Sequence, residues 1–570
     1  MRFGVADWRS FGLRTSVSVK NLVILGSVTA AFTMVTDGAW AQSPSAAVSP
    51  PVPASTDCSV NPDPYKNYAC LDTYLGSDVA VRFWKYYQLE MGQSSAPSDP
   101  SAPPSRRADW PATPETTPPM PFTEWPYGGT TNLGVNRPAS VDSPLMVAIA
   151  NTGFGKFLAD NNIQIYGWVD VGGNFSTNNQ RPAGNAPIGY AYTPNTIQLD
   201  QTTVYIERTP DTVQTDHVDW GFRLSGIYGE NYRYTTSYGI ASYQLLKHNN
   251  INGYDFPMVY GEVFFPQVAE GLMIRFGRYI SLPDIEAQLS PNNYMYTHSL
   301  TYNYDNYTNT GIQATVAVTK ELFLQFGVSD GTETPLWHAT ARVPNLVPYN
   351  PLYPTSSFPK DPGNQPTFTA CLRYSWDDEH NNIQPCVNGI NRANWGYNNL
   401  NWYGFTYYHK FDDHWHVSFE TYYEYQNGVP NANNPQAEAI YQAGGTPLSP
   451  QYIAVNAPNL AQCGNAAVLR CRASATGVLA YINYSPEPLD NFSFRPEYYH
   501  DPQGQRTGVK ADYLEFTLGW QHWLSPQIEF RPEIGYWHAT ANAFNGNPTH
   551  GIAPDRNYTV IGAADVIAHF

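Results

Sequence analysis

From residue 163 to the end, apolar and polar residues alternate with a period of two, the period of a β-strand. The first such stretch sets Ile163, Ile165, Val169, Val171 and Phe175 on one parity. Gln164, Tyr166, Trp168, Asp170 and Asn174 take the other. The same texture recurs in short pieces, with Phe222 and Leu224 flanking Arg223, and Val263 and Phe265 alternating with Glu262. Leu272, Ile274 and Phe276 alternate with Met273 and Arg275. It is cleanest late in the chain. There Val417, Phe419, Tyr423 and Tyr425 oppose Glu420, Glu424 and Gln426, and Phe492 and Phe494 oppose Arg495 and Glu497. Leu514, Phe516 and Leu518 oppose Glu515, and Ile528, Phe530 and Ile534 oppose Glu529, Arg531 and Glu533. The last stretch sets Tyr558, Val560, Val566 and Phe570 against Thr559 and Asp565. Weaker strands are read at 196–208, 399–411 and 476–485. Counting predicts about 14 strands, with 12 and 16 still open.

The spacers between these segments alternate in length. Short ones fall at 267–271, 319–321, 411–414, 486–490 and 525–527, and long ones at 229–256, 280–309, 330–398 and 427–475. Short periplasmic turns alternating with long outer loops are the pattern of an outer-membrane barrel. A soluble sandwich also alternates, with its apolar parity facing a core. Three features favour the barrel. The strands reach ten or more residues, against the usual five or six. Charges recur deep within strands on the polar parity, as in Glu529, Arg531 and Glu533. The chain also ends on an aromatic, Phe570, a feature of insertion signals in such barrels. The predicted fold is therefore all-β, a transmembrane antiparallel barrel over 162–570, with a secreted lectin-like β-protein as the soluble competitor.

The amino terminus supplies export. Arg2, Arg9, Arg14 and Lys20 precede an apolar stretch over 22–35, followed by Ala39-Trp40-Ala41. This is the layout of a signal peptide over 1–41, and the apolar stretch is too short to span a bilayer as a helix. Residues 42–142 are rich in Pro and Ser and predict an extended periplasmic segment. One island at 78–91 predicts a short helix with Val81, Trp84 and Tyr87 or Tyr86 on one side. A second helix is expected within 143–161, before the barrel. Either helix is expected to pack on the periplasmic rim rather than to plug the barrel.

The six cysteines fall in three local pairs, Cys58/Cys70, Cys371/Cys386 and Cys463/Cys471. In an exported chain this predicts three disulfides closing small loops, the last two in outer excursions. No CxxC and no zinc-finger spacing of His occurs, so no metal site and no cofactor are expected. The net charge of −17 argues against nucleic acid as a partner. It is compatible with a cation-preferring pore. Abundant Tyr and Trp suit either interfacial girdles or sugar-stacking surfaces.

Several local motifs resemble the OmpL-like β-barrel porin-2 family. They are Gly277-Arg278-Tyr279-Ile280, Tyr296-Thr297-His298-Ser299 and Tyr307-Thr308-Asn309-Thr310-Gly311-Ile312. To these add Arg495-Pro496-Glu497-Tyr498-Tyr499-His500-Asp501 with Arg506-Thr507-Gly508, and the terminal Ala564-Asp565-Val566-Ile567-Ala568-His569-Phe570. The resemblance covers about 162–570. It implies an outer-membrane porin of a Gram-negative-type bacterium, seated in outer-membrane lipid and inserted by the barrel-assembly machinery. It passes on no substrate. It admits a homo-oligomer, although nothing in the sequence marks a subunit interface.

No catalytic constellation stands out, and no enzyme is expected. His298 and Ser299 are adjacent, but neighbouring strand residues face opposite ways; a hydrogen bond at a loop base explains them better. The functional candidates are the inward-parity charges Asp170, Arg223, Glu262, Arg275, Glu420, Glu424, Arg495, Glu497, Glu515, Glu529, Arg531, Glu533 and Asp565. They either line a pore and set its field or pair with one another across strands. Tyr166, Trp168 and Tyr260 share the inward parity, as a stacking track or as filler. The expected function is passive diffusion of small hydrophilic solutes through a channel narrowed by the 330–398 loop. The alternative is a surface-exposed binding or adhesion barrel acting through its long loops.

Overall fold

In a computed structural model of the chain, the described residues are 70–93, 103–108, 133–135, 143–235, 250–280, 284–305, 308–332, 366–392, 399–442, 460–547 and 550–570. Positions 58, 64, 241, 243–246 and 248 are described as well. The signal peptide and most of the Pro/Ser-rich segment lie outside them.

Among the described residues, seventeen strands form one sheet closed on itself. They are β1 (Ile163–Ser176), β2 (Ile197–Arg208), β3 (Asp219–Gly229), β4 (Gly253–Asp255), β5 (Val259–Phe265), β6 (Leu272–Ile280), β7 (Thr308–Ala317), β8 (Leu322–Thr332), β9 (Thr367–Trp376), β10 (Asn381–Ile390), β11 (Asn401–Lys410), β12 (Trp415–Pro430), β13 (Arg470–Glu487), β14 (Asp490–Asp501), β15 (Ala511–Ser525), β16 (Ile528–Ala539) and β17 (Tyr558–His569). Each pairs antiparallel with its neighbour, and β17 returns to β1, Trp168 facing His569 and Ser176 facing Ile561. β4 and β5 both pair with β3, either side of Pro257, and share one place in the wall. The barrel therefore has sixteen wall positions. Proline explains the break, because it has no N–H for the ladder.

The wall is inside-out relative to a soluble protein. Phe175, Trp220, Ile312, Val328, Leu518 and Ile534 are exposed on the outside, while all thirteen inward-parity charges are buried. A closed wall leaves no strand edge for lipid to meet. No helix among the described residues is long and apolar enough to cross a membrane.

The sixteen positions exceed the expected 14 because the 330–398 region is not one loop. β9 and β10 lie within it, joined by a tight turn in which Asp377, Asp378 and Glu379 have positive φ. Cys371 and Cys386 are consequently direct register partners on adjacent wall strands, bonded as a rung rather than closing an outer loop. The pairs Cys58–Cys70 and Cys463–Cys471 are also bonded.

Before the barrel, α1 (Leu71–Leu75), α2 (Val79–Glu90), α3 (Pro144–Ile149) and α4 (Gly153–Asp160) pack together. Asp78 caps α2 by accepting from the Val81 N–H at 2.9 Å. The buried side of α2 is Arg82, Tyr86 and Glu90, whereas Val81 and Trp84 are exposed. The predicted apolar side is thus the outer one. Arg82 decides this: it donates to the Val147 carbonyl at 2.8 and 3.1 Å and to the Gly76 carbonyl at 2.7 Å, tying α1, α2 and α3 together. The expected second helix is broken into α3 and α4, with Thr152 capping the second piece.

Candidate functional site: a charged lumen and the segment folded into it

Several lumen charges pair across strands at matching register. Glu207 on β2 faces Arg223 on β3, with Nε to Oε2 at 2.7 Å. Glu262 faces Arg275 at 3.1 Å, and Arg531 faces Asp565 with Nε to Oδ1 at 3.0 Å. Arg495 reaches diagonally to Glu515 at 2.6 Å, and Arg506 meets Glu424 at 3.2 Å. Opposite charges on neighbouring strands stand close enough to pair directly. Glu529 takes a hydrogen bond from Gln521 at 2.8 Å. Aromatic rings fill between the rungs. Tyr166 stacks on Tyr205 with centroids 5.0 Å apart, Trp168 leans on Tyr205, and the Arg275 guanidinium sits over the Tyr260 ring. These inward aromatics are buried and packed against one another.

Wall side chains, Arg495 and Arg531 among them, also grip the connection between β6 and β7, whose residues 284–305 are folded inward and buried. Glu533 accepts from the Tyr296 and Thr297 N–H groups at 3.0 and 3.2 Å. Glu497 accepts from the Leu300 and Thr301 N–H groups at 2.9 and 2.5 Å. Glu420 accepts from the Ile285 N–H at 3.0 Å, and Asp170 accepts from the Ser290 hydroxyl. Arg495 donates to Glu286 at 2.8 Å, and Arg531 donates to the Ser290 carbonyl at 2.6 Å. Tyr422 donates to the Thr301 carbonyl at 2.6 Å. A segment without a continuous ladder needs partners for its backbone groups when buried. The wall carboxylates supply many of them.

This locates the constriction differently from the sequence expectation. The 284–305 segment occupies the lumen. The described parts of 330–398 belong mostly to the wall. His298 and Ser299 lie in the inward segment and do not act on each other. His298 Nε2 is 2.8 Å from the Ala287 carbonyl, and Ser299 donates to Glu286. Burial lowers the His298 pKa to about 4, so its ring is neutral and donates through Nε2.

Each of the thirteen predicted lumen charges is 8% exposed or less. A wide water-filled lumen would leave such side chains open to water, so the interior is packed tightly around the inward segment. Charges the sequence reading passed over include Glu207, Arg278, Glu286, Arg373 and Arg506. Glu207 shares the inward parity of β2, opposite Arg223, and could have been found there. Arg278 breaks parity with Arg275. Gly277 permits this with φ +131 and its backbone against Val259, where a Cβ would stand 2.3 Å from the Val259 carbonyl oxygen.

A family model described as "Putative beta-barrel porin-2, OmpL-like" matches residues 162–570. No curated protein matches the chain. Among solved structures, the anion-selective porin from Comamonas acidovorans is 9% identical, with TM-score 0.43 over 72% of this chain and 99% of that one. The outer membrane channel DcaP of Acinetobacter baumannii is 9% identical, with TM-score 0.39 over 72% and 96%. OmpT of Vibrio cholerae is 10% identical, with TM-score 0.38 over 72% and 97%.

Proposed function

The chain belongs to the OmpL-like β-barrel porin-2 family, and from that premise we propose how its lumen serves as a channel. It is an outer-membrane porin-like channel for small solutes, rather than an enzyme. The proposal concerns passage: small hydrophilic solutes diffuse passively, and the 284–305 segment sets the size limit. One observation carries this reading. A wall of sixteen positions, wide enough for an aqueous interior, is apolar outside and charged inside, yet is narrowed by one segment held by wall side chains. Acids outnumber bases among the thirteen named lumen charges, which favours cations over anions. A signal peptide over 1–41 delivers the chain, and Phe570 presents it to the assembly machinery. Residues 42–142 stay on the periplasmic side.

A liposome-swelling assay tests the size limit. Small sugars and amino acids are expected to enter, and oligosaccharides to be excluded. Equal entry of both would remove the role given to the inward segment.

The burial of the thirteen named lumen charges also favours a second reading, a barrel that acts through its outer loops. Deleting 333–366 separates the two. A channel keeps conducting, whereas a loop-borne binder loses its ligand. A deletion over all of 330–398 would remove the wall strands β9 and β10 and test nothing.

A further inference from the structure

Asp284 and Asp305 stand at the two ends of the described inward segment, and Glu420 stands on β12. Each offers one carboxylate oxygen, and these oxygens lie within 4.8 Å of one another. All three side chains are buried, Asp305 to 1% exposure. A separate observation concerns what faces them. No group outside the cluster donates a hydrogen bond to either carboxylate oxygen of Asp305, to Asp284 Oδ1 or to Glu420 Oε1; within it, the Asp284 carboxyl stands at hydrogen-bonding distance from both Asp305 and Glu420. The other Glu420 oxygen is occupied by the Ile285 N–H at 3.0 Å, which fixes the carboxylate. Arg506 comes near, at 3.4 Å from the Asp305 main-chain carbonyl, but its guanidinium is engaged by Glu424 at 3.2 Å.

We infer that Asp284, Asp305 and Glu420 form a divalent-cation site, with Ca2+ the ion that fits. Three carboxylates without a cationic partner in a water-poor interior repel one another and lose hydration, which disfavours their charged forms. A cation among them removes both penalties. The donor set is oxygen only, the preference of hard cations. Ca2+ holds oxygens at about 2.3–2.6 Å, so two ligands of one ion stand at most about 5 Å apart. Mg2+ binds at about 2.1 Å and demands a tighter set. The three residues are far apart in sequence, so no spacing motif announces the site, and the sequence expectation of no metal had nothing to find. Bound Ca2+ would staple both feet of the inward segment to the wall. The competing account is that protons shared between the carboxyls neutralise the cluster. The inference does not depend on whether the barrel conducts.

The test uses the mature chain folded in detergent free of lipopolysaccharide, stripped with EDTA and titrated calorimetrically with CaCl2. One Ca2+ per chain is expected, with Mg2+ binding more weakly. Asp305→Asn and Glu420→Gln should each weaken Ca2+ binding by about 100-fold. Asp413→Asn, exposed on the turn between β11 and β12, should bind as wild type. Ca2+ should also raise the unfolding temperature of the wild type but not of Asp305→Asn. If either variant fails to fold, Glu420→Asp replaces it, with weakened binding expected. Absence of Ca2+ binding to the folded wild type, or undiminished binding in the folded variants, overturns the site and leaves the shared-proton account.

Discussion

Gly167 and Phe570 exchange backbone hydrogen bonds, Phe570 N–H to the Gly167 carbonyl at 2.8 Å and Gly167 N–H to the Phe570 carbonyl at 3.2 Å. Phe570 thereby adds a rung beyond Trp168 and His569 to the seam that closes the barrel. The contact depends on the missing side chain. A Cβ at position 167 would stand 2.8 Å from Phe570 Cζ and 2.0 Å from the Thr203 carbonyl oxygen.

Gly167→Ala should therefore strain the seam on both sides and destabilise the folded barrel by about 1–3 kcal/mol. Urea titration in detergent, followed by heat-modifiable gel migration, measures it. An unchanged midpoint would mean that the seam relaxes freely around a methyl group.

The Arg531–Asp565 rung predicts an asymmetry. Asp565→Asn leaves a buried guanidinium without its counter-charge and should cost about 3–5 kcal/mol, whereas Arg531→Leu combined with Asp565→Leu should cost less than that single change. A larger loss in the double variant would show that the rung's net contribution exceeds its burial cost.

Glu497 and Glu533 hold the inward segment by two main-chain N–H groups each. Replacing both by Gln removes the charge from four hydrogen bonds, which weakens each of them. Single-channel conductance of the double variant is expected to rise or flicker relative to wild type. Equal conductance would indicate that solutes do not pass beside this segment.

His298 gives a pH dependence. Its pKa is about 4 when folded, against 6.5 for the free side chain, because burial disfavours the charged ring. The unfolded state then binds more protons between these values, so this group's contribution is full above pH 6.5 and is lost as pH falls toward 4. The total at stake is about 3 kcal/mol. Glu286 opposes the shift, while Arg495 and Arg531 reinforce it. Comparing unfolding midpoints of wild type and His298→Gln at pH 7 and pH 4.5 isolates it. The stability lost by the wild type on acidification should exceed that lost by the variant.

Much of the wall was legible because lipid demands one apolar parity from every strand. The dyads at Ile163, Val417, Phe516 and Ile534 exist for that reason. β9 carries the same signal, with Phe368, Leu372, Tyr374 and Trp376 outward and Arg373 inward. It was submerged in a long Asn- and Pro-rich region. β10 is less readable, since Pro385 and its several Asn residues resemble a loop. The inward course of 284–305 was not legible at all. A segment entering a polar lumen needs the same polar residues as a loop entering water. Pairing of the lumen charges was half legible: parity gave the face, but register chooses the partner, and register appears only once the strands are laid side by side. The disulfide of Cys371 and Cys386 was paired correctly but misplaced, because β9 and β10 read as loop.

The central claim is a narrow, cation-preferring channel, and planar-bilayer recording on the refolded mature chain under a KCl gradient tests it most directly. Stepwise openings are predicted, small for a sixteen-position barrel, with a reversal potential displaced toward that of K+. A barrel that inserts without conducting, or one whose reversal potential moves toward that of Cl−, would contradict the account.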